Sequence, residues 1–135
     1  MDVRLKRAYE PASDEDGYRV LVDRLWPRGV SKKQAELDEW EKELAPSSKL
    51  REWFGHEPGR FPEFRRRYID ELRANRARLR ELRRRARIGT LTLVYSAHDS
   101  EHNDAVVLAE VLLRGLPRAK SRRDKDRAFT NEQQR

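Results

Sequence analysis

Arg19-Val20-Leu21-Val22-Asp23-Arg24-Leu25-Trp26, closed by Pro27-Arg28-Gly29, is the stretch on which the fold turns. Its continuous apolar run predicts an interior strand buried on both faces. Proline cannot donate to a sheet ladder and glycine permits a sharp exit, so the strand stops there. Upstream, Val3-Arg4-Leu5-Lys6-Arg7-Ala8-Tyr9 alternates apolar and basic residues, the period-two pattern of a strand with one buried face. Residues 11 to 17, rich in Asp, Ser and Gly, connect the two as a loop.

Downstream the apolar spacing lengthens. Residues 31 to 44 fit a helix on Leu37, Trp40 and Leu44, although that stripe is thin. Ser47 and Ser48 cap a short helix over residues 49 to 54, stopped by Gly55 and Pro58. A long helix is predicted from Pro62 toward Arg87, with Phe64, Tyr68, Leu72, Leu79, Leu82 and Ala86 on one face. Gly89 ends it, and Thr90-Leu91-Thr92-Leu93-Val94-Tyr95-Ser96 follows as a β-branched, buried strand. Asp99 or Ser100 caps a last helix too apolar for a surface position, closed by Gly115 and Pro117. Strands separated by helices imply an α/β domain with a mainly parallel sheet flanked by helices, and such sheets bind ligands beyond the carboxyl ends of their strands.

The bulk numbers bound the possibilities. A chain of 135 residues that is 36% hydrophobic and 41% charged must concentrate its core in a few segments. We expect one domain over residues 1 to 117, followed by a basic, disordered tail over residues 118 to 135. With no cysteine, thiol nucleophiles, thiolate metal sites and disulfides are excluded. No stretch approaches the roughly 20 apolar residues of a membrane span and the N-terminus has no signal-peptide core, so a cytoplasmic protein that does not meet a membrane is expected. Of the net charge of +7, more than half falls in the tail.

The runs Lys6-Arg7-Ala8-Tyr9, Gly17 through Gly29, Leu44-Ala45-Pro46-Ser47, Leu50 to His56, Phe64-Arg65-Arg66-Arg67-Tyr68 and Leu93-Val94-Tyr95-Ser96-Ala97-His98-Asp99, leading into His102-Asn103, carry a resemblance. The chain resembles the YeaO-like proteins of the domain-of-unknown-function family 488 over about residues 2 to 116, most specifically in Asp-Arg-Leu-Trp-Pro-Arg-Gly. Longer relatives carry a cysteine where Tyr95 stands and Cys-His-Arg where Asn103-Asp104-Ala105 stand. The resemblance therefore implies no thiol chemistry for this chain. Some members bear a uroporphyrin methyltransferase label, but this sequence has no glycine-rich loop to cradle an adenosylmethionine.

Two predicted strand ends concentrate the chemistry. At the first, Asp23 accompanies Arg24 and Arg28 around a rigid Trp26-Pro27 turn, and paired guanidiniums suit a phosphate or carboxylate. An internal Asp-Arg pair fixing the loop, with Trp26 in the core, explains the same residues equally well. At the second, Ser96, His98, Asp99, His102 and Asn103 open a helix whose N-terminus favours an anion. His98 or His102 suits proton transfer oriented by Asp23 or Asp99. Arg7, Arg24, Trp26, Arg28, Ser96 and Asn103 are the expected ligand contacts, and Trp53 and His56 join them if the short helix covers the strand ends.

No Gly-x-Ser-x-Gly elbow, Walker loop or dinucleotide fingerprint is present, so no cofactor is expected. His98, Asp99 and His102 make a poor metal set, because His98 precedes the helix and His56 is the sole further histidine. A small anionic or polar ligand is therefore the expected partner, with acid/base or hydrolytic chemistry the reaction class these side chains suit, in a monomer or homodimer. The rival is a nucleic-acid or protein-binding module using Arg66, Arg73, Arg76, Arg80, Arg83 and Arg87 with the basic tail. A solvated arginine face balanced by Asp70, Glu71 and Glu81 explains that row more simply.

Overall fold

The computed structural model describes residues 1–118, and the tail expected to be disordered falls almost wholly outside them. Four strands form one sheet in the order β1-β4-β2-β3, with every neighbouring pair parallel. They are β1 (Asp2–Arg7), β2 (Tyr18–Leu21), β3 (Glu39–Trp40) and β4 (Thr90–Tyr95). The helices are α1 (Lys32–Ala35), α2 (Ser48–Phe54), α3 (Phe61–Leu72), α4 (Arg76–Ile88) and α5 (Asp104–Arg114). Among the described residues no helix is long and apolar enough to cross a membrane.

Period-two geometry sends alternate residues of each strand to opposite faces, and the two faces are unequal. Val20, Val22, Leu91, Leu93 and Tyr95 meet the packed sides of α2 to α5, where Phe54, Phe64, Tyr68, Leu79, Leu82, Leu108 and Leu112 complete the main core. The opposite face carries a smaller cluster of Ala8, Leu21 and Val94 under Trp26, Leu37 and Trp40. β4 is paired on both edges and buried from Leu91 to Tyr95, as its β-branched run requires. β1 is an outer strand whose apolar face is only partly covered: Val3 packs on the core while Leu5 stays 38% exposed.

Three expected elements differ. The strand beginning at Arg19 runs only to Leu21, with Val22 adding one more bond to the Val94 carbonyl. From Asp23 onward side chains take over the bonding of the segment. The helix expected over residues 31 to 44 is a single capped turn, ended by the left-handed Glu36 (φ 43), after which β3 pairs with β2 and a 3-10 turn follows. A helix would have kept Leu37, Trp40 and Leu44 on one side. The extended chain instead delivers Leu37 and Trp40 to the smaller cluster and Leu44 to the main core. The long helix is broken by a 3-10 turn at residues 73–75, where Asn75 leaves helical geometry (φ −124, ψ 40) and its amide donates to the Glu43 carbonyl. The break lets α3 pack on α2 and α5 while α4 packs on β4, and all six predicted apolar positions are still buried.

On the smaller face the β1 to β2 connection is locked by charge. Arg19, 3% exposed, donates to Asp16 at 2.6 Å and twice to the Ala35 carbonyl, while Lys6 reaches Asp16 at 3.1 Å. Thr92 donates to the Asp16 carbonyl, so one acidic residue joins β1, β2 and β4. The neighbouring Gly17 (φ 63) has no alternative, because a Cβ there would lie 2.4 Å from the Thr90 carbonyl oxygen.

Removing one partner of a buried pair leaves its mate unpaired. Arg19→Met is therefore expected to lower the unfolding free energy by about 3–5 kcal/mol in urea titrations. Burial alone raises the Asp16 carboxyl, but hydrogen bonds from the Ser13 N–H, Lys6 and Arg19 outweigh it and hold the group below its ordinary value. Its contribution is present above about pH 3.9 and is lost as pH falls through the depressed folded value. The urea midpoint of the parent should fall with acidification through that window, and the Arg19→Met midpoint should fall less steeply.

Candidate functional site

The three strand exits converge because their side chains bond one another's backbone. Ala8 N–H continues the ladder to the Tyr95 carbonyl, and Arg7 donates to the carbonyls of Ala97 (2.9 Å) and Ser96 (3.4 Å). Asp23 Oδ2 accepts from both the backbone N–H (2.9 Å) and the hydroxyl (2.7 Å) of Ser96. The Asp23 carbonyl accepts from the Trp40 indole at 2.7 Å, tying in β3. Arg24 is committed to the carbonyls of Pro46 and Ala45, Trp26 donates to the Val30 carbonyl, and the Tyr9 hydroxyl donates to the Arg28 carbonyl.

The fourth side comes from the helices. Ser47 caps α2, and both its N–H and its hydroxyl donate to the Glu71 carboxylate on α3. Past Phe54, Gly55 (φ 54) and His56 (φ 57) are both left-handed, a conformation uncommon for histidine. Asn103, and neither Asp99 nor Ser100, caps α5, its side chain accepting from the Val106 N–H. Asp99 instead closes the preceding turn, accepting from the N–H groups of Glu101 and His102 and facing His102 Nδ1 at 2.8 Å. The Glu101 N–H and the His102 ring hold its carboxyl below the usual range.

These elements enclose a cavity of about 340 Å³ at the carboxyl ends of β2 and β4. Asp23, Arg24, Trp26 and Arg28 form one wall, with Ser96, Ala97, Asn103 and Asp104 facing them. Arg51 and Phe54 from α2, His56 just beyond it, Phe64 from α3 and Tyr9 complete it. The structure thus gathers Asp23, Arg24, Trp26, Arg28, Ser96, Asn103 and His56 around one space. Arg7, His98, Asp99 and His102 are not among its walls. His98 is exposed and contacts Arg7 at 3.4 Å, while His102 is drawn back by Asp99 onto the edge of Phe61, with ring centroids 5.1 Å apart. Trp53 also lies elsewhere, under the guanidiniums of Arg60 and Arg67. Among the described residues no group of three or more acids and histidines is placed to hold a metal.

Asp104 is the wall residue that the sequence pattern concealed. It follows the Asn103 cap, where an acid is ordinarily a solvated partner of the helix N-terminus. Here it is half-buried in the cavity wall that Asp23 also lines. Desolvation, then the charge and hydrogen bond of Asp23, push its carboxyl well above the ordinary range. The available signal was its setting: from Ala105 to Ala109 the helix holds no other polar residue, so its first turn had to be buried.

The arginine row divides. Arg66 pairs with Glu63 and Asp70, Arg73 with Asp70 and the Pro117 carbonyl, and Arg83 donates to the carbonyls of Leu112 and Val111. Arg76, Arg80 and Arg87 stand exposed.

Comparison with known proteins places this geometry in a family. The family model described as "Inactive DUF488-N3 subclade" matches residues 2–130. The uncharacterized protein YeaO of Escherichia coli (strain K12) is 46% identical over 112 residues, spanning 83% of this chain and 97% of that protein. The uncharacterized protein Rv3073c of Mycobacterium tuberculosis (strain H37Rv) is 44% identical over 110 residues, spanning 82% and 92%. The uncharacterized protein Mb3100c of Mycobacterium bovis matches to the same extent. No solved structure matches the chain.

A carboxyl whose folded value is raised favours folding fully below its unfolded value, and that contribution is lost as pH rises through the folded value. Asp104→Asn keeps the shape and removes the titration. Its stability relative to the parent should therefore rise as pH rises above about 4, measured by urea unfolding. A difference that stays constant over that range would show that the carboxyl ionises normally.

Proposed function

Since the chain belongs to the inactive DUF488-N3 subclade, we propose that its strand-end cleft is a receptor for a small anionic or polar ligand, which it holds without turning over. The observation that carries this is the convergence of Arg24, Arg28 and Arg51 on one cavity of about 340 Å³, with Ser96 and Asn103 on the facing wall. That volume lies within the range of small-molecule sites, and its position beyond the strand ends is where parallel sheets place ligands.

The guanidiniums have different tasks. Arg24 spends two of its donor nitrogens on the α2 approach and so shapes the wall, lending charge more than reach. Arg28 and Arg51 are exposed at the mouth and supply the planar donor forks that suit phosphate and carboxylate. Binding without turnover also accords with the placement of His98 and His102, which do not line the cavity. Where the longer relatives carry cysteines, Tyr95 is a buried core residue and Asn103 a helix cap. The cytoplasm is the compartment we assign to it, consistent with the cysteine-free composition.

A nucleic-acid module is the less supported alternative. Arg66, Arg73 and Arg83 are engaged in ion pairs or on backbone carbonyls, which leaves Arg76, Arg80 and Arg87 as the open part of the row.

Amide-detected NMR titration of the full chain with ethyl phosphate, and separately with a short DNA duplex, tests the proposal. Ethyl phosphate should shift Ser96, Asn103 and the backbone around Arg28. Arg28→Gln and Arg51→Gln should each weaken it about tenfold, the scale of one lost charge-assisted hydrogen bond. Shifts confined to Arg76, Arg80 and Arg87, produced by the duplex alone, would replace the cleft with the arginine face.

A further inference from the structure

The cleft has two electrical ends. Arg28, Arg51 and His56 are exposed at its mouth, while Asp23 and Asp104 are half-buried and line the same cavity, where the charge of Asp23 helps to raise the Asp104 carboxyl. Several interior acids of this arginine-rich chain are paired with cations. Asp16 has Arg19 and Lys6, Glu41 has Arg78, and the half-buried Glu110 has Arg65. The floor pair has none among the described residues: Asp23 Oδ2 is satisfied by Ser96 and Asp104 Oδ1 by the Ala105 N–H, and the nearby Arg24 donates to Pro46 and Ala45 instead. Two adjacent carboxyls without a cation are costly in a low-dielectric interior unless a proton or a positively charged visitor lies between them.

We propose that the ligand of this cleft is amphoteric, a small primary amine carrying a phosphate or carboxylate, whose anionic end lies among Arg28, Arg51 and His56 and whose ammonium seats on the Asp23–Asp104 pair. This rests on the anion-receiving role proposed above and names the chemical class of the ligand. Phe54 and Phe64 supply apolar wall, against which a short carbon chain between the two charges can pack.

The proton balance follows from the pair. In the empty cleft, burial and the nearby Asp23 charge favour the protonated form of Asp104. When the ammonium docks, the Asp104 O–H bond breaks, that proton passes to solvent, and two carboxylates face one ammonium without any covalent bond to the ligand. The surrounding groups do not compete for this role. Tyr68 on α3 and Tyr95 on β4 are both raised, chiefly by burial and further by Asp104, and so stay neutral. Arg24 and Arg51 are permanently charged, Glu71 is held by Ser47, Asp99 faces His102, and His56 stands at the mouth.

Calorimetry on the full chain at about pH 7.5 with ethyl phosphate and O-phosphoethanolamine, which differ by one amino group, reads the ammonium seat directly. Phosphoethanolamine should bind about tenfold or more tighter, the low end of what close charge pairs contribute at interfaces. Repeating the titration in two buffers of different ionisation enthalpy should show protein-derived proton release for phosphoethanolamine and not for ethyl phosphate. Asp104→Asn should abolish both the preference and the release while still binding ethyl phosphate. Because the probe comparison and the proton count use the parent protein, they decide the matter even if that variant fails to fold. Equal affinity for the two probes overturns the amphoteric ligand and leaves the anion pocket standing; no binding of either at tens of millimolar overturns both.

Discussion

One carboxylate sets the geometry on which the cleft depends. Asp23 takes two hydrogen bonds from Ser96 at the exit of β4, and its own carbonyl takes the indole of Trp40, the last residue of β3. A single residue therefore fastens three neighbouring strand exits, just where β2 stops making ladder bonds. From there Arg24, Trp26 and Tyr9 hold residues 23 to 29 across the strand ends.

The chain uses several of its arginines to bind backbone. Arg7, Arg19, Arg24, Arg73 and Arg83 all donate to main-chain carbonyls in loops or at helix ends, where no ladder satisfies those acceptors. A planar guanidinium with several donors serves such turns better than lysine does. The basic composition thus reflects in part how a small domain with short strands closes its loops, and it overstates how much positive surface is open to partners.

What could be foreseen follows from how local the cause of each element is. β4, α2, α5 and the apolar face of α3 and α4 were legible because hydrophobic periodicity and Ser47 or Gly55 act within a few residues. Residues 31 to 44 were misjudged because their fate depends on the open edge of β2 and on Asp38, which brackets the backbone of Arg19 from nineteen positions away. The break at Asn75 depends on a carbonyl of Glu43, equally remote. At the cleft, Asp23, Arg24, Arg28, Ser96 and Asn103 could be named because strand-end position is readable from pattern. Asp104 could not, since its meaning lies in the proximity of Asp23, and His98 and His102 drew attention by residue type although a local turn directs them elsewhere.

The placement of α5 has a practical side. Its first residue, Asp104, is at the cleft floor, and its last carbonyls are gripped by Arg83 while Arg73 holds that of Pro117. An 11-residue helix is about 16 Å long, so the point where the chain leaves the described fold is anchored roughly a helix length from the binding floor. A fluorophore, affinity handle or surface tether joined beyond that anchor would report on or immobilise the protein with the cleft mouth still open, whereas the same attachment in the β2 exit loop would occlude it.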